Sequence, residues 1–443
     1  MVYRARGETS VTTESFLVAN RNVGLYLGVV TTAACWIQAP ALLASGSFAF
    51  TSGYHFLVFW IPNVLALIIP AFLLPKMQER LPKGFTLPEF MGASFGGSVR
   101  SVAFVLQFLS LIGIVAFTLT GISQWLEPLV TVPASTIAIV LVSCSSLWVL
   151  TFGIKSALVT DTIKILFIGI GLALVFSLWW TQSPLPQNEV HAWNKVDPWS
   201  VIWLTGIPLA IALVGGPFTN PDLGERIFAL AKSPTTLQKS YLGAAALFGI
   251  ATLGFGSLGF LAYYVIPEKF TGFPAFALMK QFASYEVQLL ISVGIAIILM
   301  AALGSYIASA GDLIAIEVYR RASSRTSDAS IVLASRVSMM IPLIAGTFLA
   351  TLPGVSVPKL LESLAVVRGG MIIPVLIAVL RPQSVAGAPI AIGMACALLG
   401  GVGITYSSFV ITEPYMVQNA RPLGALFALL CPLVFWVAYR RKK

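Results

Sequence analysis

Asp161 and Lys164 stand three residues apart inside the apolar run 156–181. On a helix that spacing puts both on one face. A carboxylate at membrane depth is costly unless paired or hydrated, so such residues mark ion pathways. The lysine admits two roles. It can neutralise the acid, or its ammonium can stand in a bound cation's place and titrate, since burial favours the neutral amine. Asp161 also has a plainer reading, as a helix-start aspartate favoured by the N-terminal dipole. Other polar residues gather at two interruptions. The apolar run 23–50 is broken at Gln38-Ala39-Pro40, with Gly46 further on. The run 199–220 is broken at Gly215-Gly216-Pro217 and ends through Asn220-Pro221-Asp222. A break at membrane depth frees N–H and C=O groups, and it is tolerated only where these line a cavity or meet a ligand. Gln38, Asn220 and Asp222 are therefore candidates to bind a small polar molecule. Asp222 can equally cap the helix carrying Glu225 and Arg226. Trp36 suits an aromatic wall, or plain packing and interface anchoring. Arg368, before Gly369-Gly370, can grip a carboxylate with two parallel hydrogen bonds; it can also pair with Glu362 or line an outer vestibule. Asp312 is a further acid in an apolar run, or an interface residue.

The elements that must position these groups are membrane spans. Only 10% of the 443 residues are charged and mean hydropathy is +0.90, against about 25% charged in soluble proteins. Taking about 20 apolar residues per crossing, the sequence predicts twelve helices: 23–50, 55–75, 100–126, 133–153, 156–181, 199–220, 238–266, 286–316, 329–352, 360–380, 386–412 and 423–439. The fold class is an all-α polytopic membrane protein. Met1 to Asn22 is polar, with Arg4, Arg6 and Arg21, and lacks the apolar core of a signal peptide. The net charge of +10 does not point to nucleic acid, because most basic residues fall on alternate loops and span ends. With a cytoplasmic N-terminus, twenty of the 27 basic residues are cytoplasmic, satisfying the positive-inside rule. Both termini are expected in the cytoplasm of a plasma or bacterial inner membrane. Cys35, Cys144, Cys396 and Cys431 all fall in apolar spans, against a disulfide framework. Two histidines, His55 and His191, and no Cys/His cluster argue against zinc or a histidine triad. No phosphate loop with Gly-Lys-Ser/Thr is present, against ATP-driven transport. The Gly-rich stretch Leu253 to Gly259 reads as a close-packing helix surface. No nucleophile–base set converges, so an enzyme is not expected.

Five spans precede the polar external loop. Five is odd, so the next five start on the opposite side, and two similar halves become inverted repeats, each opened by a broken helix. That is a secondary-transporter architecture with its site at the breaks. The division is 1–22, a cytoplasmic N-terminal segment; 23–181, the first repeat; 182–198, the external loop; 199–382, the second repeat; and 383–443, two accessory helices and a basic tail.

Five motifs give the chain a resemblance. Ser15-Phe-Leu-Val-Ala-Asn-Arg21 resembles FFLAGR; Thr86-Leu-Pro-Glu-Phe90, followed by Arg100, resembles T-x-P-E-[FY]; Phe152 to Asp161 resembles GG-[LI]-K-A-V-x-x-T-D. Gly224-Glu-Arg226 with Ala231-Lys-Ser233 resembles Q-R-x-x-A-A-K-S, and Ser309 to Tyr319 resembles S-x-S-S-x-x-x-x-D-[IL]-Y. In this order they resemble the sodium:solute symporter family, which includes sodium/proline, sodium/glucose and urea symporters. The resemblance implies a LeuT-like 5+5 inverted repeat plus two C-terminal helices, and cation-coupled symport of a small polar organic solute by alternating access. A solute sensor or an uncoupled facilitator is the alternative. The family usually has one more helix before FFLAGR, so the chain is expected to be shortened or truncated there. The resemblance implies a sodium ion held by the backbone carbonyls of Ala34 and Ile37 and by two hydroxyl residues of the eighth span, near Asp161. Here the chain departs. Aligned back from Glu317-Val-Tyr319, the hydroxyl pair falls on Ala301 and Ala302, with Ile298 in the same set; shifting by one turn brings in Ser305, followed by Tyr306. Lys164 stands where the family usually has glutamine. The expectation is a shifted or degraded sodium site, with coupling to protons or absent and Lys164 and Asp161 replacing the ion.

Overall fold

The computed structural model describes residues 12–127, 132–133, 136–137, 139–140, 143, 154–181, 197–230, 233–265, 273–323, 326–381, 387–407 and 413–439. Every extended element among them is a helix. Nine helices among the described residues are long and apolar enough to cross a membrane, and Leu25–Trp36 and Pro198–Val214 are shorter apolar pieces. The predicted fourth span, 133–153, falls largely outside the described residues, as do most of the loop 182–198, the first eleven residues and the last four.

The helices used below are α1 (Leu25–Trp36), α2 (Ala39–Ser52), α3 (Leu57–Arg80), α4 (Leu87–Phe95), α5 (Gly97–Leu126), α6 (Ile154–Thr181), α7 (Ile207–Val214), α8 (Gly216–Thr219), α9 (Pro221–Ala229), α10 (Pro234–Val265), α11 (Pro274–Phe282), α12 (Tyr285–Ile314), α13 (Asp328–Ser338), α14 (Met340–Thr351), α15 (Val357–Leu380), α16 (Gly387–Thr405) and α17 (Pro414–Tyr439). Large apolar side chains cover the outside, from Leu166 at 64% exposure to Leu399 at 73%. A bundle that presents such residues outward is built for lipid, not water.

Both interruptions exist. Between α1 and α2, Ile37 and Gln38 are extended (ψ 94° and 144°) and the helix restarts on a proline-containing first turn. In the second half the break lies further on than the glycines suggest. Gly215 keeps helical angles (φ −73°, ψ −20°), and Asn220 is the extended residue (ψ 112°). The cause is Pro221, whose ring disfavours the helical region for the residue before it. The chain does not leave the bundle at residue 220 either. It continues as α9, all nine residues of which are buried.

Helix α10 packs on α1, α2 and α3; α6 on α1 and α12; and α9 on α1 and α12. The Gly-rich stretch makes close approach possible: a Cβ on Gly259 would lie 2.0 Å from the Gly46 carbonyl oxygen. Glycine at that crossing lets α10 meet α2 backbone to backbone.

Candidate functional site

The first break leaves α1 without its last intrahelical bonds. The Ile37 N–H still reaches the Ala33 carbonyl at 2.7 Å. The next two carbonyls are taken by side chains from elsewhere. Lys164 Nζ, fully buried on α6, donates to the Ala34 oxygen at 2.6 Å. The Tyr306 hydroxyl, on α12, donates to the Cys35 oxygen at 3.3 Å. An ammonium thus sits on a carbonyl that the family resemblance assigns to sodium. Ala301, Ala302 and Ile298 are buried and bring no oxygen from their side chains. Ser305 is buried beside Tyr306, but its hydroxyl makes no hydrogen bond among the described residues. Ile37 is buried at the break.

Lys164 does not neutralise Asp161 through an ion pair, although they are helical neighbours. Asp161 belongs to a different set. Its Oδ2 accepts from Arg226 Nη2 at 3.1 Å and from the Thr31 hydroxyl, and Arg226 Nε donates to Thr31 Oγ1 at 3.0 Å. Arg226 Nη1 also stands 3.7 Å from Glu225 Oε2. Asp161, Lys164, Thr31 and Asp222 are at zero exposure and Arg226 at 1%. This cluster ties α1, α6 and α9 together. Asp222 sits in the first turn of α9 but does not cap it: neither of its oxygens has a well-formed hydrogen bond among the described residues.

A cavity of about 660 Å³ runs from the exposed Thr51 and Glu127 down to Trp36, Gln38, Asn63 and Arg368. Its floor is set by the first break and by Arg368, behind which the second break lies. Trp36 donates from Nε1 to the Asn63 carbonyl at 3.2 Å. Gly216 lets that indole approach the second break, since a Cβ there would lie 2.4 Å from the ring. Arg368 is 3% exposed. It donates to the Ala212 carbonyl (2.7 Å), Asn220 Oδ1 (3.1 Å) and the Ser110 hydroxyl (3.3 Å), all neutral. It is not the partner of Glu362, which pairs with Arg421 at 2.9 Å. Asn220 and Asp222 do not line the cavity: Asn220 stands behind Arg368 and orients it, and Asp222 faces the Asp161 cluster. Gln38 does line it, and Gln38→Ala is expected to raise the apparent KM for solute with unchanged surface expression; unaltered uptake kinetics in whole cells would remove it from the site.

The opposite end of the bundle is closed by charge. Thr86 opens α4 with a capping box to Glu89. Its hydroxyl also donates to Glu317, which accepts from Arg100 Nε at 2.7 Å. Arg100 and Arg320 both reach Glu89, at 3.5 and 3.6 Å. Three of the motif stretches (Thr86 to Phe90, Arg100, and Glu317) therefore meet in one clamp around the buried Glu317 carboxylate. Outside the spans, Asp197 caps the short helix Pro198–Val201, and the Ser200 hydroxyl and N–H hold its carboxyl below the usual range.

No known family profile and no curated protein matches the chain. Solved structures do share its fold. A Na+-coupled sialic acid symporter, in a substrate-bound outward-open state with a novel Na+ site, superposes with a TM-score of 0.75 at 16% identity over 98% of this chain and 94% of its own. Mhp1, a nucleobase-cation-symport-1 family transporter closed on bromovinylhydantoin, gives 0.60 at 14% identity, over 95% and 94%. A manganese transporter of Eremococcus coleocola gives 0.57 at 13% identity, over 94% and 95%. Together with the two broken helices, these define an all-helical polytopic protein of the LeuT-like class. Similarity at this level speaks for the fold alone.

Arg226 and Glu225 are cluster residues that the sequence offers as part of a motif and as contents of the helix after Asp222, with no site role assigned to either. Their signal was a charged pair in a segment bounded by apolar spans, which reads equally well as an exposed loop helix.

Proposed function

We propose that this chain is a secondary active transporter, a symporter that moves a small polar solute bearing a carboxylate across a plasma or bacterial inner membrane by alternating access. The observation that carries this reading is the cavity of about 660 Å³ that ends on both broken helices with Arg368 at its floor. A buried guanidinium whose hydrogen-bond partners are all neutral forms no ion pair of its own, and a carboxylate offers it two charge-assisted hydrogen bonds. Gln38, Trp36 and Asn63 supply the remaining polar and aromatic wall. With the Arg100–Glu317 clamp at the other end closed, the cavity is open on one side only, as alternating access requires. The basic residues at the clamp end favour placing that end, and both termini, in the cytoplasm. The convergence of the Thr86, Arg100 and Glu317 motifs supports kinship with the sodium:solute symporters, and the 23–181 and 199–382 halves are read as its repeats.

The coupling cation in this reading is a proton. Sodium needs oxygen ligands, and the position between α1 and α12 offers an ammonium on Ala34 and the alanines Ala301 and Ala302 instead. The residues present do not fit a sodium ion there. The test is uptake into proteoliposomes of a radiolabelled panel of carboxylates, amino acids, sugars and urea. Carboxylates are expected to accumulate under an inward pH gradient, with no change when sodium is replaced by choline. Uptake that climbs steeply with sodium at fixed pH and voltage sinks the proton reading; solute that equilibrates without accumulating makes the protein a facilitator. Lys164→Ala is expected to cut pH-driven accumulation at least tenfold, because the Ala34 carbonyl loses its partner in the occupied state.

A further inference from the structure

The buried cluster holds more acid than base. Asp161, Asp222, Glu225 and Asp312 face it, against Lys164 and Arg226. Arg226 spends its good contacts on Asp161 and Thr31, leaving Glu225 at 3.7 Å. Glu225 and Asp312 then face each other across the α9–α12 contact. One oxygen of each is accounted for: Ser309 Oγ donates to Glu225 Oε2 at 2.8 Å, and Ser335 Oγ donates to Asp312 Oδ1 at 2.6 Å. Among the described residues no N–H or hydroxyl donates to Asp312 Oδ2. Glu225 is held by Ser309, one helical turn before Asp312 on α12, so its carboxyl lies along the same stretch of the α9–α12 contact as the Asp312 carboxyl. Two ionised carboxylates only accept, so a bond between them needs a proton on one of them. At 3% and 2% exposure both are shielded from bulk solvent, and like charges buried side by side disfavour one another's ionised form.

The surroundings supply no other answer. From α9 come Asp222, whose two oxygens are without a well-formed hydrogen bond, and Arg226; from α12, Ser309 and Tyr306; from α13, Ser335. From α6 come Asp161 and Lys164; from α1, Thr31 and the Cys35 thiol; from α10, Tyr241, whose hydroxyl is given to the Leu223 carbonyl. Among the described residues no three His, Cys, Asp or Glu side chains are placed to hold a metal ion.

We propose that Glu225 and Asp312 form a two-carboxyl site that binds one proton between them. The proton is shared as a carboxyl–carboxylate hydrogen bond joining α9 to α12; its loss leaves two facing anions and drives those helices apart. Where this proton powers solute movement, the inference rests on the transport reading above; the binding itself does not.

The probe is the proton alone. Infrared difference spectra of the purified wild-type protein between acidic and alkaline buffers are expected to show the stretching band of a buried protonated carboxyl, with one more proton released per molecule on alkalinisation than from Glu225→Gln. Glu225→Gln, which keeps the size and offers a fixed N–H in place of the proton, is expected to lose that band and release one proton fewer. Asp312→Asn is expected to do the same; should it fail to fold, Glu225→Gln decides alone. A band retained in Glu225→Gln overturns the site. So does a band that sodium chloride removes at fixed pH, because the occupant would then be sodium. No solute is involved, so failure here leaves the uptake panel standing, and a failed panel leaves the proton count standing.

Discussion

Arg226→Ala is expected to yield little or no folded protein. The guanidinium is the cation bound to Asp161 and the nearest one to Glu225, and it holds Thr31 as well. Removing it strands carboxylates at zero and 3% exposure. Breaking a buried ion pair by deleting one partner costs about 3–5 kcal/mol, a large share of a typical net stability of about 5–15 kcal/mol. The check is the yield of monodisperse protein and its thermal midpoint in detergent. Arg226→Lys is expected to recover part of the loss, since a point charge reaches Asp161 but cannot fork to Thr31 and Glu225 together. Wild-type yield and midpoint in Arg226→Ala would show that the cluster does not hold α1, α6 and α9 together.

Arg368→Ala is expected to do the reverse: a folded protein that no longer takes up its solute. The side chain's hydrogen-bond partners are neutral oxygens, so its loss breaks no ion pair. A hydrogen bond to a charged group contributes about 1.5–3 kcal/mol. Losing two costs about 3 kcal/mol or more, and at 1.4 kcal/mol per factor of ten that is an affinity loss of about a hundredfold or greater. The measurement is KM for carboxylate uptake in proteoliposomes beside the thermal midpoint. Arg368→Lys is expected to fall between, because it cannot present the planar fork. An unchanged KM with intact protein would place the carboxylate elsewhere, and with it the chemical class of the solute.

The spans and the first break were readable because they rest on strong local signals: long apolar runs, and a proline beside polar residues inside one of them. The second break was readable in kind and misplaced in position. Gly215-Gly216-Pro217 looks like the weakest helix in the run, yet Gly215 stays helical while Pro221 makes Asn220 extended. The glycines serve packing instead, opening room for Trp36 and Arg368. Site residues were legible one at a time and not in their pairings. Asp161 and Lys164 share a helix face, but burial against α1 and α9 offered each a better partner, Arg226 for the acid and the Ala34 carbonyl for the ammonium. Helix spacing sees only neighbours in the chain; it is blind to a guanidinium 65 residues away. Glu225 was hidden for a related reason. A short polar helix normally lies in water, and α9 lies in the core because its charges find one another there.

The ammonium on the Ala34 carbonyl has a consequence for the organism that makes this protein. A dissolved ion occupies its site only as often as its concentration outside the cell allows, so a carrier that waits for sodium stalls in fresh water. Lys164 is leashed to its helix by four methylenes. Its local abundance is set by the length of that leash and cannot be diluted. On the proton-coupled reading proposed above, the protein meets the same positive charge at the same place in brine and in rain, and what it gives up is the energy that a salt gradient would have delivered there.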